Sequence, residues 1–295
     1  MASLGFIGLG RMGTPMAANL LAAGHSLAVY ARRPEAAAPL AEKGAIVCAS
    51  PREVADRSDI VFTMLIDTKA VESVVYGDQG ISAAARPGLV FIDHSTIAPG
   101  VAQDISVRLR REGVEMLDAP VSGGVAGAQA GTLSIMVGGN EQVFERHRPL
   151  LLHLGATVIH IGANGSGQIA KACNQICILV TQLGVAEAVL VAQKSGVDFE
   201  KVKRALMGGF AASRILEIQG PKMAEGRYEG EIESRLHCKD ILLSLEWARE
   251  LGAYLPASEL AAEILGELQD AGGGRLDSAA VFTILQGLRK TVIPH

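Results

Sequence analysis

An apolar run that begins in Gly165-Ser166-Gly167 constrains the fold of this 295-residue chain more than any other stretch. Residues 176–192 carry a single charge, Glu187, and the run ends at Ser195-Gly196, where glycine suits a left-handed helix C-cap. The pattern predicts one helix over residues 165–195, about 45 Å long. Because this helix is so apolar, we expect it to be buried nearly all round, as a spine shared by two domains.

Four polar residues of the predicted helix fall on one stripe: Lys171, Asn174, Gln175 and Gln182. An ammonium and several amide groups therefore share one face of the helix and point toward the structure packed beside that face. This arrangement is typical of a functional site. Two simpler interpretations are a lysine at the edge of a core helix and a membrane span of nearly the right length. The polar residues argue against a span, and we expect no membrane association.

The composition excludes several classes of protein. A net charge of -4 lacks the basic excess expected of a nucleic-acid binder. With 49% apolar residues, 4% aromatics and 34 glycines, the chain resembles an α/β enzyme. The first apolar segment has no basic leader, so we expect no signal peptide. The four cysteines show no disulfide-like spacing, so we expect a reducing, cytoplasmic setting. No metal site is expected, and the cysteines are predicted to be small buried side chains: Cys48, Cys173, Cys177 and Cys238.

A strand, a glycine turn and a helix follow one another at the start of the chain. The predicted strand Leu4–Leu9 enters Gly8-Leu9-Gly10-Arg11-Met12-Gly13, and Pro15–Ala23 reads as a helix. In the pattern Gly-x-Gly-x-x-Gly, the glycines allow a tight turn, a close approach of backbone to a pyrophosphate, and packing of helix on strand. The turn is therefore predicted to bind a dinucleotide at the helix N-terminus.

The second predicted strand, Leu27–Tyr30, ends in Ala31-Arg32-Arg33. An NAD site normally places a carboxylate there to bind the ribose hydroxyls, whereas two guanidinium groups suit a 2′-phosphate. We therefore predict that NADPH is preferred and that NADH remains possible. The alternative is a pair of arginines on a solvated turn.

Further strands alternate with helices as far as residue 161, and no strand pattern follows. This alternation predicts a doubly wound, mostly parallel α/β Rossmann domain over residues 1–164, and an all-α domain over residues 165–295 joined by the long helix 165–195. Ligands of such sheets bind beyond the carboxyl ends of the strands. The predicted strands are 46–48, 60–65, 89–93, 115–119, 132–137 and 157–161; the predicted helices are 36–43, 69–75, 101–113, 198–207, 237–251, 256–271 and 277–289.

Two strand ends carry candidate site residues. Ser122-Gly123-Gly124 exposes successive backbone amides, a concavity suited to a carboxylate or oxyanion, although a plain flexible turn has the same composition. Ser122 lacks the Gly-x-Ser-x-Gly context of an acylating serine. His94 is a candidate general base whose partner the sequence does not identify. In the helical part, Arg214 is a candidate clamp for a second substrate carboxylate, or a surface arginine.

Together, the glycine turn, Asp118-Ala119-Pro120-Val121-Ser122-Gly123-Gly124, Gly165-Ser166-Gly167 with Lys171 and Asn174, and Lys239-Asp240 resemble the β-hydroxyacid dehydrogenase family. The resemblance covers nearly the whole chain. Within the family, the chain is most similar to the branch of tartronate semialdehyde reductases and 3-hydroxyisobutyrate dehydrogenases. It implies that Lys171 is catalytic, that Ser122, Gly123, Gly124, Asn174 and Gln175 bind substrate, and that Met64, Leu65, Thr96, Lys239 and Asp240 accompany the glycine turn in binding cofactor. Relatives often have a proline where this chain has Ile66 and an aromatic residue near Ile232, and some relatives have an asparagine where this chain has Gln175.

The residue types fit carbonyl reduction, because the cofactor supplies hydride and a lysine in a dry cleft, with its pKa lowered by desolvation, supplies a proton. We predict an NADPH-preferring enzyme that interconverts a short, carboxylate-bearing β-hydroxy acid and its semialdehyde or keto acid, as a homodimer or homotetramer. Alternatives are a 3-hydroxyisobutyrate dehydrogenase and a non-catalytic dinucleotide sensor on the same fold. Imine reductases, which typically lack the lysine, and phosphogluconate dehydrogenases, which add basic residues, fit less well.

Overall fold

The computed structural model describes residues 2–230 and 232–287. The chain divides into two compact units, Met1–Lys171 and Ala172–His295. The first is a sheet covered by helices and the second is helical, so the predicted fold class is confirmed. The predicted domain boundary between residues 164 and 165 stays a prediction.

The first unit contains a nine-stranded sheet in the order β3-β2-β1-β4-β5-β6-β8-β7, with β9 paired to β8. All pairs from β3 to β6 are parallel, whereas β8 runs antiparallel to β6 and β7. Every residue of β4 and β5 is buried, as expected for parallel strands covered on both faces. The strands are β1 (Ser3–Ile7), β2 (Ser26–Tyr30), β3 (Ile46–Val47), β4 (Ile60–Thr63), β5 (Val90–Asp93), β6 (Glu115–Asp118), β7 (Val121–Ser122), β8 (Ser134–Gly139) and β9 (Thr157–Gly162).

Helices cover both faces of this sheet. Phe6 and Ile7, neighbours in β1, belong to different apolar cores, because successive side chains of a strand point to opposite faces. The helices are α1 (Gly13–Ala22), α2 (Ala38–Ala41), α3 (Pro51–Asp56), α4 (Thr68–Tyr76), α5 (Pro99–Arg111), α6 (Gly124–Ala130) and α7 (Glu141–Leu151), with 3-10 turns at Pro34–Ala37 and Ile81–Ala84. Helices α3, α6 and α7 had no counterpart among the predicted elements.

The second unit is built from helices around one apolar core. Gly196 adopts φ 69° after the long helix, and the Asp198 side chain accepts from Glu200 N, as the predicted caps require. The helices are α8 (Ser166–Lys194), which begins in the first unit, α9 (Phe199–Met207), α10 (Arg214–Glu225), α11 (Ser234–Glu250), α12 (Pro256–Asp270) and α13 (Val281–Leu285), with 3-10 turns at Gly273–Arg275 and Ser278–Ala280. Helix α10 was not predicted. Asp277 caps the second of these turns, and the predicted helix end at Arg289 lies outside the described residues.

Helix α8 is buried on one side only, which corrects two expectations. Lys171, Gln175 and Gln182 form its buried polar stripe, whereas Cys173 and Cys177 are exposed on the opposite side. The expectation of burial all round was therefore wrong, as was that of buried cysteines at these two positions. By length and composition α8 could also cross a membrane. Its polar stripe, buried within the protein, is what a core helix of a soluble protein shows.

Candidate active site

The last residues of β4 and β5, and the loops that follow these strands, are joined by hydrogen bonds. Thr63 Oγ1 donates to Asp93 Oδ1 at 2.6 Å, and Leu65 N donates to Ser95 Oγ at 2.9 Å. The same Asp93 oxygen accepts from Ser95 N at 3.0 Å. Because the two strands are parallel neighbours, these bonds bring together the three half-buried side chains predicted to line the path to the nicotinamide: Met64, Leu65 and Thr96.

The glycine turn has one crowded side and one open side. A Cβ on Gly13 would lie 1.9 Å from Gly8 O, so helix α1 can pack on the turn only through glycine. A Cβ on Gly10, by contrast, would meet no heavy atom of the described chain within 4 Å. Met12, at the N-cap of α1, makes no side-chain capping bond. The turn therefore presents bare backbone and an uncapped helix N-terminus, which fit a pyrophosphate.

Arg32 and Arg33 lie beside this turn. Gly8 N donates to Tyr30 O at 3.1 Å, which places the end of β2 next to the glycine loop. Both guanidinium groups are exposed, and within the described residues neither forms an ion pair. Two cations without an ion-pair partner among the described residues are thus available beside the glycine turn.

The ammonium of Lys171 reaches the strand that leads into the second glycine-rich turn. Lys171 is 7% exposed, and its Nζ donates to Val121 O at 2.9 Å. Ser122 follows in β7, and Gly123 and Gly124 turn the chain into α6 with φ 131° and 62°. These φ values are accessible to glycine and strained for other residues. The structure therefore places the lysine at the turn predicted to bind the substrate's carboxylate.

Asp118, which sequence reasoning gave no role, caps the N-terminus of α8. The carboxylate is fully buried and accepts from Gly165 N at 2.7 Å and Gln168 N at 3.1 Å. Burial raises the pKa of this carboxyl to about 6, with the two backbone N–H groups and the neighbouring Asp93 acting as smaller influences. A charged residue at the end of an apolar strand was the signal that could have revealed it.

His94 fits a structural role better than that of a general base. It is fully buried and stacked on Phe62, and its Nδ1 lies 2.7 Å from Ala119 O, so Nδ1 carries the proton. Burial lowers the pKa of the imidazole to about 4. The ring is therefore neutral near pH 7 and joins the ends of β5 and β6.

The second unit brings together four of the predicted site residues. Asn174 Nδ2 donates to Gln175 Oε1 at 2.7 Å, and Gln175 Nε2 donates to Asp240 Oδ2 at 2.5 Å. The other oxygen of Asp240 pairs with Lys239 Nζ at 2.8 Å. The carboxylate thus orients an amide on one side and an ammonium on the other.

Arg214 stands apart from this group. It is the first residue of α10, 80% exposed, and its guanidinium pairs with Glu217 at 2.6 Å. The structure therefore matches the simpler interpretation of a surface arginine, and a second-carboxylate role stays a prediction. Among the described residues there is no group of three or more histidine, cysteine or acidic side chains arranged to hold a metal ion.

Comparisons with known proteins agree with this architecture. The NAD binding domain of 6-phosphogluconate dehydrogenase matches residues 3–162, and the NAD-binding domain of NADP-dependent 3-hydroxyisobutyrate dehydrogenase matches residues 165–285. The 2-hydroxy-3-oxopropionate reductase of Escherichia coli K12 is 44% identical over 96% of this chain and 97% of its own length. The 3-hydroxyisobutyrate dehydrogenase of Pseudomonas aeruginosa is 36% identical over 97% of this chain and 99% of its own.

A solved structure is similar over the same extent. The 3-hydroxyisobutyrate dehydrogenase of Mycobacterium tuberculosis, determined with L-serine, superposes with a TM-score of 0.89 at 36% identity, covering 97% of this chain and 99% of its own. Two family matches in tandem, full-length relatives and a shared fold all lead to the same assignment. The chain belongs to the β-hydroxyacid dehydrogenase family.

Proposed function

We propose that this enzyme reduces 2-hydroxy-3-oxopropionate (tartronate semialdehyde), or a similarly short semialdehyde or keto acid, to the β-hydroxy acid with NADPH. The observation that supports it best is the buried Lys171 ammonium, which donates to Val121 O immediately before Ser122. A cation at a turn made of glycine backbone suits a small substrate that carries both a carbonyl and a carboxylate.

The residues of the first unit divide the chemistry between them. The nicotinamide, when bound, supplies hydride to the carbonyl carbon. Lys171 supplies the proton to the carbonyl oxygen, or stabilises the charge that develops there. Ser122, Gly123 and Gly124 bind the substrate's carboxylate and hold the carbonyl in reach of the lysine. Burial of the ammonium keeps competing water away from the proton transfer.

We assign cofactor binding to the glycine turn and the residues around it. Gly8, Leu9, Gly10, Arg11, Met12 and Gly13 would hold the pyrophosphate, and Arg32 and Arg33 the 2′-phosphate that distinguishes NADPH from NADH. Met64, Leu65 and Thr96 would line the path to the nicotinamide. The match to a domain of NADP-dependent enzymes supports this preference.

In the second unit we assign Asn174 and Gln175 to substrate orientation, and Lys239 and Asp240 to cofactor contact. We also propose a cytoplasmic homodimer or homotetramer. Apolar side chains exposed on the isolated chain, such as Val191 on α8 at 66% and Leu242 on α11 at 51%, support an assembly that covers them. Light scattering of the purified protein measures its size.

The test is NADPH oxidation, followed by absorbance, with tartronate semialdehyde, methylmalonate semialdehyde, succinic semialdehyde and glyoxylate, repeated with NADH. We expect the fastest turnover with tartronate semialdehyde and NADPH. Preferred turnover of methylmalonate semialdehyde would instead indicate a 3-hydroxyisobutyrate dehydrogenase. NADPH binding without turnover of any of the four would favour the non-catalytic sensor.

Replacing Lys171 tests the catalytic assignment. Lys171→Ala should lower kcat by about 10²- to 10⁴-fold, the usual contribution of general acid catalysis, while NADPH still binds. Lys194→Ala is the matched control, because Lys194 is an exposed lysine at the other end of the same helix. Retained turnover in the Lys171 variant would refute the assignment.

A further inference from the structure

The first turn of α8 is held in place by groups that the proposed chemistry does not use. Asp118 accepts from the backbone of residues 165 and 168, and the close approach depends on glycine. A Cβ on Gly167 would lie 2.4 Å from Asp118 O and 2.5 Å from Met136 O. The helix start is therefore pressed against β6 and β8, one turn before Lys171.

The side chain of Gln168 joins this turn to the loop after β5. Gln168 is 2% exposed; its Nε2 donates to Ser95 O at 2.8 Å, and its Oε1 accepts from Ile97 N at 3.1 Å. One amide thus binds the residues on either side of Thr96, through its carbonyl oxygen and one of its two N–H donors. Because Gln168 precedes Lys171 by three residues, the two side chains lie on the same side of α8.

We propose that Gln168, together with Asp118, is a positioning residue that holds Lys171 and the Thr96 loop in one fixed arrangement. This inference rests on the proposed function, in which Lys171 transfers the proton and Thr96 lies beside the cofactor. Displacing a reacting group by about 1 Å can reduce the rate by about 10²-fold. Loss of the Gln168 amide should therefore lower kcat, with much less effect on KM.

Gln168→Glu tests this, because the effect of the substitution depends on its own protonation. A protonated carboxyl group has one donor and one acceptor and can replace both bonds of the amide, whereas a carboxylate places an oxygen against Ser95 O. Burial and the nearby carboxylates of Asp118 and Asp93 favour the protonated form, whereas the Lys171 ammonium on the same side of α8 and the helix N-terminus favour the carboxylate. We therefore expect this group to change its protonation between about pH 5 and 8. The ratio of kcat in the variant to kcat in the wild type should rise about 10- to 100-fold as the pH is lowered from about 8 to 5.

Two further variants separate positioning from general destabilisation. Gln168→Leu, which can form neither bond, should keep a low ratio at every pH. Gln219→Glu is the matched control: Gln219 is 6% exposed and its amide bonds Ser278 Oγ at 3.3 Å in the second unit. It should lower the Tm, while its kcat ratio stays independent of pH.

Hydrogen exchange of the Ile97 amide in the cofactor-free protein gives a readout independent of turnover. Exchange should be faster in Gln168→Leu than in the wild type, because the amide loses its acceptor. A pH-independent ratio for Gln168→Glu, wild-type kcat in Gln168→Leu, or unchanged Ile97 exchange would each overturn the proposal. If the wild type reduces none of the four substrates, the proposed function fails, and Ile97 exchange still decides whether Gln168 holds the loop.

Discussion

Two of the glycine-rich turns in the first unit, residues 8–13 at the start of α1 and residues 165–167 at the start of α8, are completed in opposite ways. At the start of α8, the N-terminal backbone donors bind the Asp118 carboxylate, and Gly167 is crowded by backbone on two sides. At the start of α1, Gly10 faces open space and no side chain of Met12 caps the helix. A helix N-terminus attracts anions. The turn at the start of α8 already holds the Asp118 carboxylate, and we call it the closed turn. The turn at the start of α1 can accept an anion from outside, and we call it the open turn.

The largest expected effect comes from adding one methyl group to the closed turn. The same change in the open turn is its matched control. Gly167→Ala places a Cβ against two carbonyl oxygens and should lower the free energy of unfolding by about 3 to 5 kcal/mol. Gly10→Ala meets no protein atom in the described chain and should change it by no more than about 0.5 kcal/mol. Urea unfolding measures both.

The order of the two variants should be reversed for cofactor binding, where Gly10→Ala should have the larger effect. The Cβ at position 10 would occupy the space where a pyrophosphate approaches the backbone, so NADPH should bind Gly10→Ala more weakly, as measured by titration. Equal stability losses in the two variants would show that the turns do not differ as described.

A second prediction concerns the pH dependence of stability at the closed turn. The Asp118 pKa is raised from 3.8 to about 6 in the folded state, so its contribution is present at low pH and is lost as pH rises through that window, by about 3 kcal/mol. The His94 pKa is lowered from 6.5 to about 4, so its contribution, also about 3 kcal/mol, is lost as pH falls. The opposite pH dependences of stability from Asp118 and His94 therefore nearly cancel in the wild type.

Asp118→Asn should therefore reveal the pH dependence of stability that comes from His94. The free energy of unfolding of the wild type minus that of the variant should fall by about 3 kcal/mol as the pH rises from about 4 to 6. Urea unfolding at each pH measures this difference. His94→Gln should give a difference of the opposite slope. Parallel stability curves for the wild type and both variants would contradict the two pKa shifts.

The smallest of the expected losses concerns NADPH binding by Arg32 and Arg33, which lie beside the open turn. The double variant Arg32→Ala, Arg33→Ala should raise KM for NADPH by about 10- to 100-fold and leave KM for NADH nearly unchanged, because charge-assisted bonds to a 2′-phosphate are lost. Steady-state kinetics with both cofactors measure this. A wild-type enzyme that already prefers NADH would remove the basis of the assignment.

Local patterns were enough to predict the open turn and eight of the nine sheet-forming strands, but not the two-residue strand β7 (Val121–Ser122). Hydrophobic runs and glycine spacing act over a few residues, and β1, the turn and α1 follow each other directly. The closed turn could not be predicted in this way, because its bonds join residues far apart in sequence. Asp118 and Gly165 are 47 residues apart, and Gln168 and Ser95 are 73 apart. The sequence showed the glycines at 165 and 167 but not the carboxylate that they approach.

The burial of α8 on all sides was expected wrongly for a related reason. A helix apolar on all sides gives no periodic signal for which face is covered, so Cys173 and Cys177 were expected to be buried and are exposed. Its polar stripe of Lys171, Gln175 and Gln182 did identify the buried side. In the second unit, α10 was missed because Gly220 and Pro221 lie inside it.

The capping of α8 by Asp118 also determines where this chain can be divided into fragments. A cut between residues 164 and 165, the boundary suggested by the sequence, removes both backbone donors and leaves a buried carboxylate in the first fragment with neither of them. A fragment that ends after Lys171 keeps the donors, the glycines and the Gln168 amide. The first seven residues after that boundary therefore belong, in physical terms, to the sheet that precedes them.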